Sequence, residues 1–385
     1  MGHDAFQITI NCLKLVVIFL MMVQAVPILV WLERRGSGFI QNRLGPNRVG
    51  PLGLMQLLAD AAKFLMKEEF FPETGVKLLY YAAPAAALIP GTLAFCAIPL
   101  STPVHIEAFE WLGQSWGPYT FLFQGFDINV GIVYILGISS LAAYVILMAG
   151  WGSGSKYSLM GALRASAQII SYELALGLSI VGVILMYGTF NLTEMINQQQ
   201  GPLNFQFWGH TISSTVSWLP NWGIFYQPLG AIIFFAATFA ESNRLPFDLA
   251  EGEAELVAGF HTEYGGFKML LFFIGEYGHM MVASGLMVAF FFGGWSIPGV
   301  SFDQVSSWAS GATSSSSLAS IFTSLIFFVS FFVKLAVFMW IFIQVRWTLP
   351  RFRYDQLMDL GWKTMLPWAL ANTILSALFI FVAHS

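Results

Sequence analysis

Eight stretches of this chain, roughly 8–32, 78–100, 130–150, 168–187, 224–240, 269–292, 319–345 and 365–383, are apolar for long enough to cross a ~30 Å hydrocarbon layer as helices. Lipid offers backbone N–H and C=O groups no partner, so such a pattern restricts the chain to a bundle of internally bonded helices. Composition agrees: 57% of the 385 residues are hydrophobic, with 37 Phe and 13 Trp, more than a soluble domain could bury. The expected fold is an all-α polytopic membrane protein, one membrane domain over 1–385, with about eight transmembrane helices. The fifth stretch is the shortest. No Lys or Arg precedes the first apolar run and no small-residue cleavage site follows it, so Met1 to Trp31 reads as a retained helix rather than a signal peptide. Cys12 and Cys96 lie in apolar runs without paired spacing, which argues against a disulfide framework, an iron–sulfur cluster or zinc and for packing in the core.

The basic residues orient the bundle. Arg34, Arg35, Arg43, Arg48, Lys63, Lys67 and Lys77 follow the first segment, Lys156 and Arg164 the third, Arg244 and Lys268 the fifth, and Arg346, Arg351, Arg353 and Lys363 the seventh. Only Lys14 and Lys334 of the 17 fall elsewhere. The positive-inside rule then puts the odd-numbered loops on the cytoplasmic side, or its mitochondrial equivalent, and both termini outside.

Charged residues are only 10% of the chain, yet Glu241, Asp248, Glu251, Glu253, Glu255 and Glu263 fall within 23 residues of one inner loop, 241–266. Crowded carboxylates repel, so some hold protons near neutral pH and exchange them with neighbours. The bland alternative is a solvated acidic loop. Against it stand the interleaved Leu245, Pro246, Phe247, Leu249, Leu256 and Val257, which point to a packed loop. Within the predicted helices lie Glu173, near the inner end of the fourth, Glu276, about nine residues into the sixth, and Lys334, near the middle of the seventh. A charge at such depth is costly enough to suggest function. Together these groups read as a proton or charge relay; a static pair between Lys334 and one Glu is the structural alternative. His279, one turn beyond Glu276, can join the relay or simply find a hydrogen-bond partner.

The first inner loop carries a different signal. Trp31-Leu32-Glu33-Arg34-Arg35 closes the first segment, Gly45-Pro46-Asn47-Arg48-Val49-Gly50-Pro51 forms turns, and 52–67 reads as an amphipathic helix lying in the membrane interface. Asp60 and Lys63 are spaced to pair along it. Between this helix and the base of segment 1 the pattern allows a lateral opening for a hydrophobic ligand, rimmed by Arg34 and Arg43. Membrane anchoring alone is the simpler alternative.

Glu33-Arg34-Arg35, Gln41-Asn42-Arg43-Leu44-Gly45-Pro46-Asn47, Ala59-Asp60-Ala61-Ala62-Lys63, Ser171-Tyr172-Glu173, Glu241-Ser242-Asn243-Arg244-Leu245-Pro246-Phe247-Asp248-Leu249, Glu251-Gly252-Glu253-Ala254-Glu255-Leu256 and Pro350-Arg351-Phe352-Arg353-Tyr354-Asp355-Gln356 resemble, in order, the H-type membrane subunits (subunit 1 in mitochondria) of the proton-pumping NADH:quinone oxidoreductase, respiratory complex I. The resemblance covers every inner loop and nearly the whole chain. It implies an eight-helix subunit meeting a peripheral redox arm and forming, with partners, the chamber through which quinone, the substrate, approaches the last iron–sulfur cluster. On matching positions, Arg34, Arg43 and Lys63 would lie along that chamber and Arg346 near its mouth. Glu173, Glu241, Asp248, Glu251, Glu253, Glu255, Glu263 and Glu276 would form the acidic path toward antiporter-like subunits, supported by Glu33, Asp60, Arg244 and Lys334. The resemblance also implies a location in the bacterial inner membrane, or the mitochondrial one.

The chain carries no phosphate-binding glycine motif; Trp151-Gly152-Ser153-Gly154-Ser155-Lys156 lacks the required continuation. No metal, cluster, flavin or nicotinamide site is visible, so iron–sulfur clusters, FMN and NADH are expected on partner subunits. Two other classes remain open: the homologous membrane subunit of an energy-converting hydrogenase, which needs no quinone, and a stand-alone proton-coupled transporter, which usually shows internal repeats. Co-purifying chains would separate the three. The outer loops, roughly 101–129, 189–223 and 293–318, are longer than in shorter relatives and contain no Lys or Arg.

Overall fold

A computed structural model describes residues 2–111, 114–201, 203–207, 210–213, 219–248, 258–313 and 315–384. Helix dominates it. The long helices are α1 (Gly2–Ile40), α3 (Lys77–Cys96), α6 (Lys156–Tyr187), α10 (Phe267–Phe291), α12 (Ser316–Thr348) and α14 (Leu366–His384). Between them run α2 (Gln56–Met66), α4 (Gly131–Ser139), α5 (Leu141–Gly152), α7 (Leu192–Gln198), α8 (Gly223–Tyr226), α9 (Pro228–Glu241), α11 (Phe302–Ala312) and α13 (Tyr354–Asp359). A π-turn, Leu360–Met365, joins α13 to α14. The strands among the described residues form three small antiparallel hairpins in the loops after α3 and α7, such as Val104–Ile106 against Tyr119–Phe121.

Among the described residues seven spans are long and apolar enough to cross a membrane: Ile8–Ile40, Lys77–Cys96, Gly131–Gly152, Lys156–Tyr187, Phe267–Phe291, Ser316–Thr348 and Tyr354–Val382. The fifth predicted stretch differs. Gln227, at φ −131° and ψ 54°, breaks it, and Pro228 restarts it as a helix of 14 residues, about 21 Å long. Two helices exceed their apolar runs. The first continues eight residues past 32, so Glu33, Arg34 and Arg35 are helical, and α6 begins twelve residues before 168. Glu173 therefore sits about 26 Å along α6, in mid-helix rather than near its inner end. The expectation that both cysteines pack in the core also needs correction. Cys96 is buried, but Cys12 lies exposed on α1.

The helix at the centre is α10, which packs against α3, α12, α9 and α1 and whose C-terminal half from Met280 to Phe291 is buried. A second core joins Tyr80, Ala83 and Ala87 of α3 to Ala149, Ala165 and Phe272. Close approach of α3 to α10 depends on Gly275, where a Cβ would sit 2.7 Å from the Ala87 carbonyl oxygen. That contact fixes the height of Glu276, the next residue.

Candidate functional site

One face of α1 and one face of α2 enclose a cavity. Val23, Pro27, Val30, Arg34 and Ser37 recur at helical spacing along α1; Leu54, Leu57, Leu58, Ala61 and Phe64 do so along α2 and the turn before it. With Phe273, Ile274 and Tyr277 of α10 and Arg346 of α12 they line a volume of about 1090 Å³. Its walls are mostly aliphatic and aromatic. Its charged groups are Glu33, Arg34 and Arg43 at and beyond the C-terminal part of α1, with Asp60 and Arg346. Arg34 closes the junction between α1 and α2 by an ion pair with Asp60 at 2.5 Å, and Trp31 donates to the Leu52 carbonyl at 3.2 Å. Arg43 bonds Gln41 at 2.6 Å and Ser37 at 3.4 Å. Lys63 stands 3.6 Å from Asp60, as its spacing predicts, but points outward and does not line the cavity.

Behind the cavity runs a buried chain of charges. Glu33 pairs with Arg346, accepts from the Tyr277 hydroxyl at 2.5 Å and lies 3.5 Å from Arg244. The Arg244 guanidinium lies over the Tyr277 ring, 4.2 Å from its centroid, and 3.9 Å from Glu276, which also meets His261 at 3.7 Å. Burial opposes a charge on Arg244, but Tyr277, Glu33 and Glu276 more than offset it and raise its pKa, so it is a permanent cation. Adjacent helical residues point about 100° apart, so Tyr277 faces the large cavity while Glu276 faces a second one. That second cavity, about 40 Å³, is also lined by Glu241 and His279. Gln168, buried on α6, donates to the carbonyls of Ala240 and Phe247 at 2.8 and 2.7 Å and so fixes the chain on either side of Glu241.

The other sequence-derived positions scatter around this centre. Asp248 is buried and pairs with Arg351 at 3.2 Å, tying the loop after α9 to the segment before α13. Glu173 is half-buried on α6, close enough to Glu241 to act on it electrostatically. Glu263 lines neither cavity; its backbone carbonyl accepts from Tyr80 at 2.8 Å. Glu251, Glu253 and Glu255 lie outside the described residues. Three residues that join the network, Tyr277, His261 and Ser139, the last beside Glu241, were not among the sequence-derived candidates. Tyr277 had a signal, its place beside Glu276. The other two had none.

Lys334 stands apart from the carboxylates. Its ammonium donates to the carbonyls of Phe292, Gly294 and Ser296 at 2.7, 2.9 and 2.5 Å and sits 4.5 Å from the centre of the Trp222 ring. It caps the C-terminal end of α10, about 24 Å along the helix from Glu276. Among the described residues it forms no ion pair, so the alternative of a static Lys334–Glu pair is not what they show. Lys334→Met strands three buried carbonyls and is expected to destabilise the protein by on the order of 3 kcal/mol. Thermal dissociation of the purified assembly would show this as a lowered midpoint, and an unchanged midpoint would refute the capping role.

The family model described as NADH dehydrogenase matches residues 13–377. The H-type chain of the NADH-quinone oxidoreductase of Bdellovibrio bacteriovorus is 73% identical over 383 residues, covering 100% of this chain and 99% of the relative. One of the corresponding chains of Koribacter versatilis is 42% identical over 99% of both chains, and that of Leptospira biflexa 42% identical over 95% of this chain. A cavity between α1 and α2, a buried run of charges behind it and matches over the whole length lead to one assignment: the chain belongs to the NADH dehydrogenase family, as an H-type membrane subunit of NADH-quinone oxidoreductase.

Proposed function

We propose that this membrane subunit of NADH-quinone oxidoreductase supplies part of the quinone chamber and the first carboxylates of the path that couples quinone reduction to proton pumping. The observation that carries the reading is the α1–α2–α10 cavity, mostly apolar and charged at Glu33, Arg34, Arg43, Asp60 and Arg346. An isoprenoid tail suits the aliphatic walls, and a headgroup carrying two carbonyl oxygens suits Arg34, Arg43 and Arg346. Lys63 acts on the mouth only through Asp60. Behind the headgroup end, Glu33, Tyr277 and Arg244 connect the chamber electrostatically to Glu276 and Glu241, so a change of charge on the quinone is felt by groups able to hold a proton. Glu173, Asp248, Glu251, Glu253, Glu255 and Glu263 extend the path in this reading. Iron–sulfur clusters, FMN and the NADH site belong to redox-arm partners docking on the inner loops. Antiporter-like and small membrane subunits flank the helices, and both termini face the outer side of the bacterial inner membrane.

Arg34 and Lys63 test the chamber. In the assembled complex Arg34→Ala is expected to lower NADH:quinone activity about tenfold, and Lys63→Ala by less than about threefold. The first removes a cation that lines the cavity, and a tenfold loss corresponds to roughly 1.4 kcal/mol, whereas the second removes one that does not line it. Electron transfer from NADH to an artificial hydrophilic acceptor bypasses the chamber and should stay at the wild-type rate. Equal loss of both activities in Arg34→Ala would defeat the assignment.

A further inference from the structure

The small cavity between α9 and α10 contains one group that the carboxylate path does not use. Glu241 ends α9; Glu276 lies on α10 and His279 one turn further along it, at i,i+3, and all three line the same space. Each of the three keeps some accessible surface although the surrounding helices are packed. Glu276 is engaged by Arg244 and His261, and Ser139 lies beside Glu241. Among the described residues His279 makes no hydrogen bond. An imidazole without a partner, turned into a space shared with two carboxylates, calls for a small hydrogen-bonding occupant. The volume, about 40 Å³, exceeds the ~10–15 Å³ that one water needs, so two or three waters fit. The remaining walls, among them Ile146, Phe260 and Phe272, are apolar, so polar anchorage comes from the carboxylates, His279 and the neighbouring Ser242 and Asn243.

We propose that His279 is a positioning residue of the charge path, holding the water of this cavity in place for proton passage between Glu276 and Glu241. The inference rests on the reading of these carboxylates as part of the charge path and assigns His279 the job of completing it. A neutral imidazole donates through one nitrogen and accepts through the other, so it orders water without changing charge. Transfer then balances. The carboxylic proton of Glu276 passes to a cavity water as that water gives one of its own to the Glu241 carboxylate; Glu276 ends ionised, Glu241 protonated and the water regenerated. His279 is thus a positioning residue for water, and its hydrogen-bonding capacity matters more than its ring.

The test compares His279→Phe, which fills the space with apolar atoms, with His279→Asn, which keeps a donor and an acceptor, in assembled complexes in sealed vesicles. NADH-driven quinone reduction and proton uptake should fall about tenfold in the Phe variant and stay within about twofold of wild type in the Asn variant. Electron transfer to an artificial acceptor should be unchanged in both. Should the Phe complex not assemble, His279→Leu, apolar and near histidine in volume, is scored in the same way. A Phe or Leu variant that pumps like wild type, or an Asn variant as impaired as Phe, overturns the role of His279. Glu276→Gln run in parallel separates the two levels: its normal pumping would remove the charge path itself, whereas its failure beside a normal Phe variant would remove only the hydration site.

Discussion

Glu276→Gln is expected to assemble and to lose at least about tenfold in both NADH-driven quinone reduction and proton uptake. Glutamine keeps the size and hydrogen-bonding reach of glutamate but cannot titrate, and an acid–base group that must exchange a proton in each cycle contributes at least that much. The residue meets Arg244 at 3.9 Å and His261 at 3.7 Å, and it lines the cavity shared with Glu241, so no other described carboxylate stands in its place between the two. Glu255→Gln should be milder, since its loop holds five other acids. Proton uptake per NADH oxidised in sealed vesicles gives the answer. Wild-type turnover and pumping would make Glu276 a structural partner of Arg244 and break the proposed path at its middle.

Arg244→Met is expected to be more damaging still, and by another route. Arg244 is 7% exposed and is the cation between two buried carboxylates, Glu33 at 3.5 Å and Glu276 at 3.9 Å. Removing one partner of a buried ion pair costs about 3–5 kcal/mol, because the remaining charge keeps its desolvation cost without compensation. Glu33 retains Arg346 and the Tyr277 hydroxyl, and Glu276 retains His261. The variant should therefore assemble poorly, and the fraction that assembles should lack quinone activity. Arg244→Lys, which keeps the charge but not the planar fork over Tyr277, should assemble and recover part of the rate. Blue native electrophoresis with activity staining separates these outcomes, and full assembly of Arg244→Met at normal turnover would show the buried network to be dispensable.

Much of this arrangement is legible in the sequence, for identifiable reasons. Apolar runs specify helices because lipid leaves the backbone no other partner, and the α1 stripe from Val23 to Ser37 and the α2 stripe from Leu54 to Phe64 follow from helical periodicity alone. Helix ends are harder. Hydropathy ends segment 1 at its first charges, whereas the backbone continues to Ile40 because Glu33 finds Arg244 and Arg346, 211 and 313 residues away in sequence. The early start of α6 is hidden in the same way by Lys156 and Arg164. Lys334 was legible as a buried charge but not as a cap, since its partners are main-chain carbonyls and carry no side-chain signature. Pairwise spacing found Asp60–Lys63 within one helix; Arg34–Asp60, 26 residues apart, needed the fold.

The attachment of α2 has a mechanical consequence. No residue of this helix is fully buried, and its polar ties to α1 are the Arg34–Asp60 pair, with Arg34 45% exposed, and the hydrogen bonds of Trp31 and Arg35 to the Leu52 carbonyl just before it, at 3.2 and 3.4 Å. A half-exposed ion pair and hydrogen bonds of this kind are worth only on the order of 1 kcal/mol each, weak beside the packing of a buried helix. In the proposed chamber this helix is the wall that is easiest to displace: a long apolar tail would enter sideways past it, while the buried network is carried by α1, α10 and α12 and would not have to move.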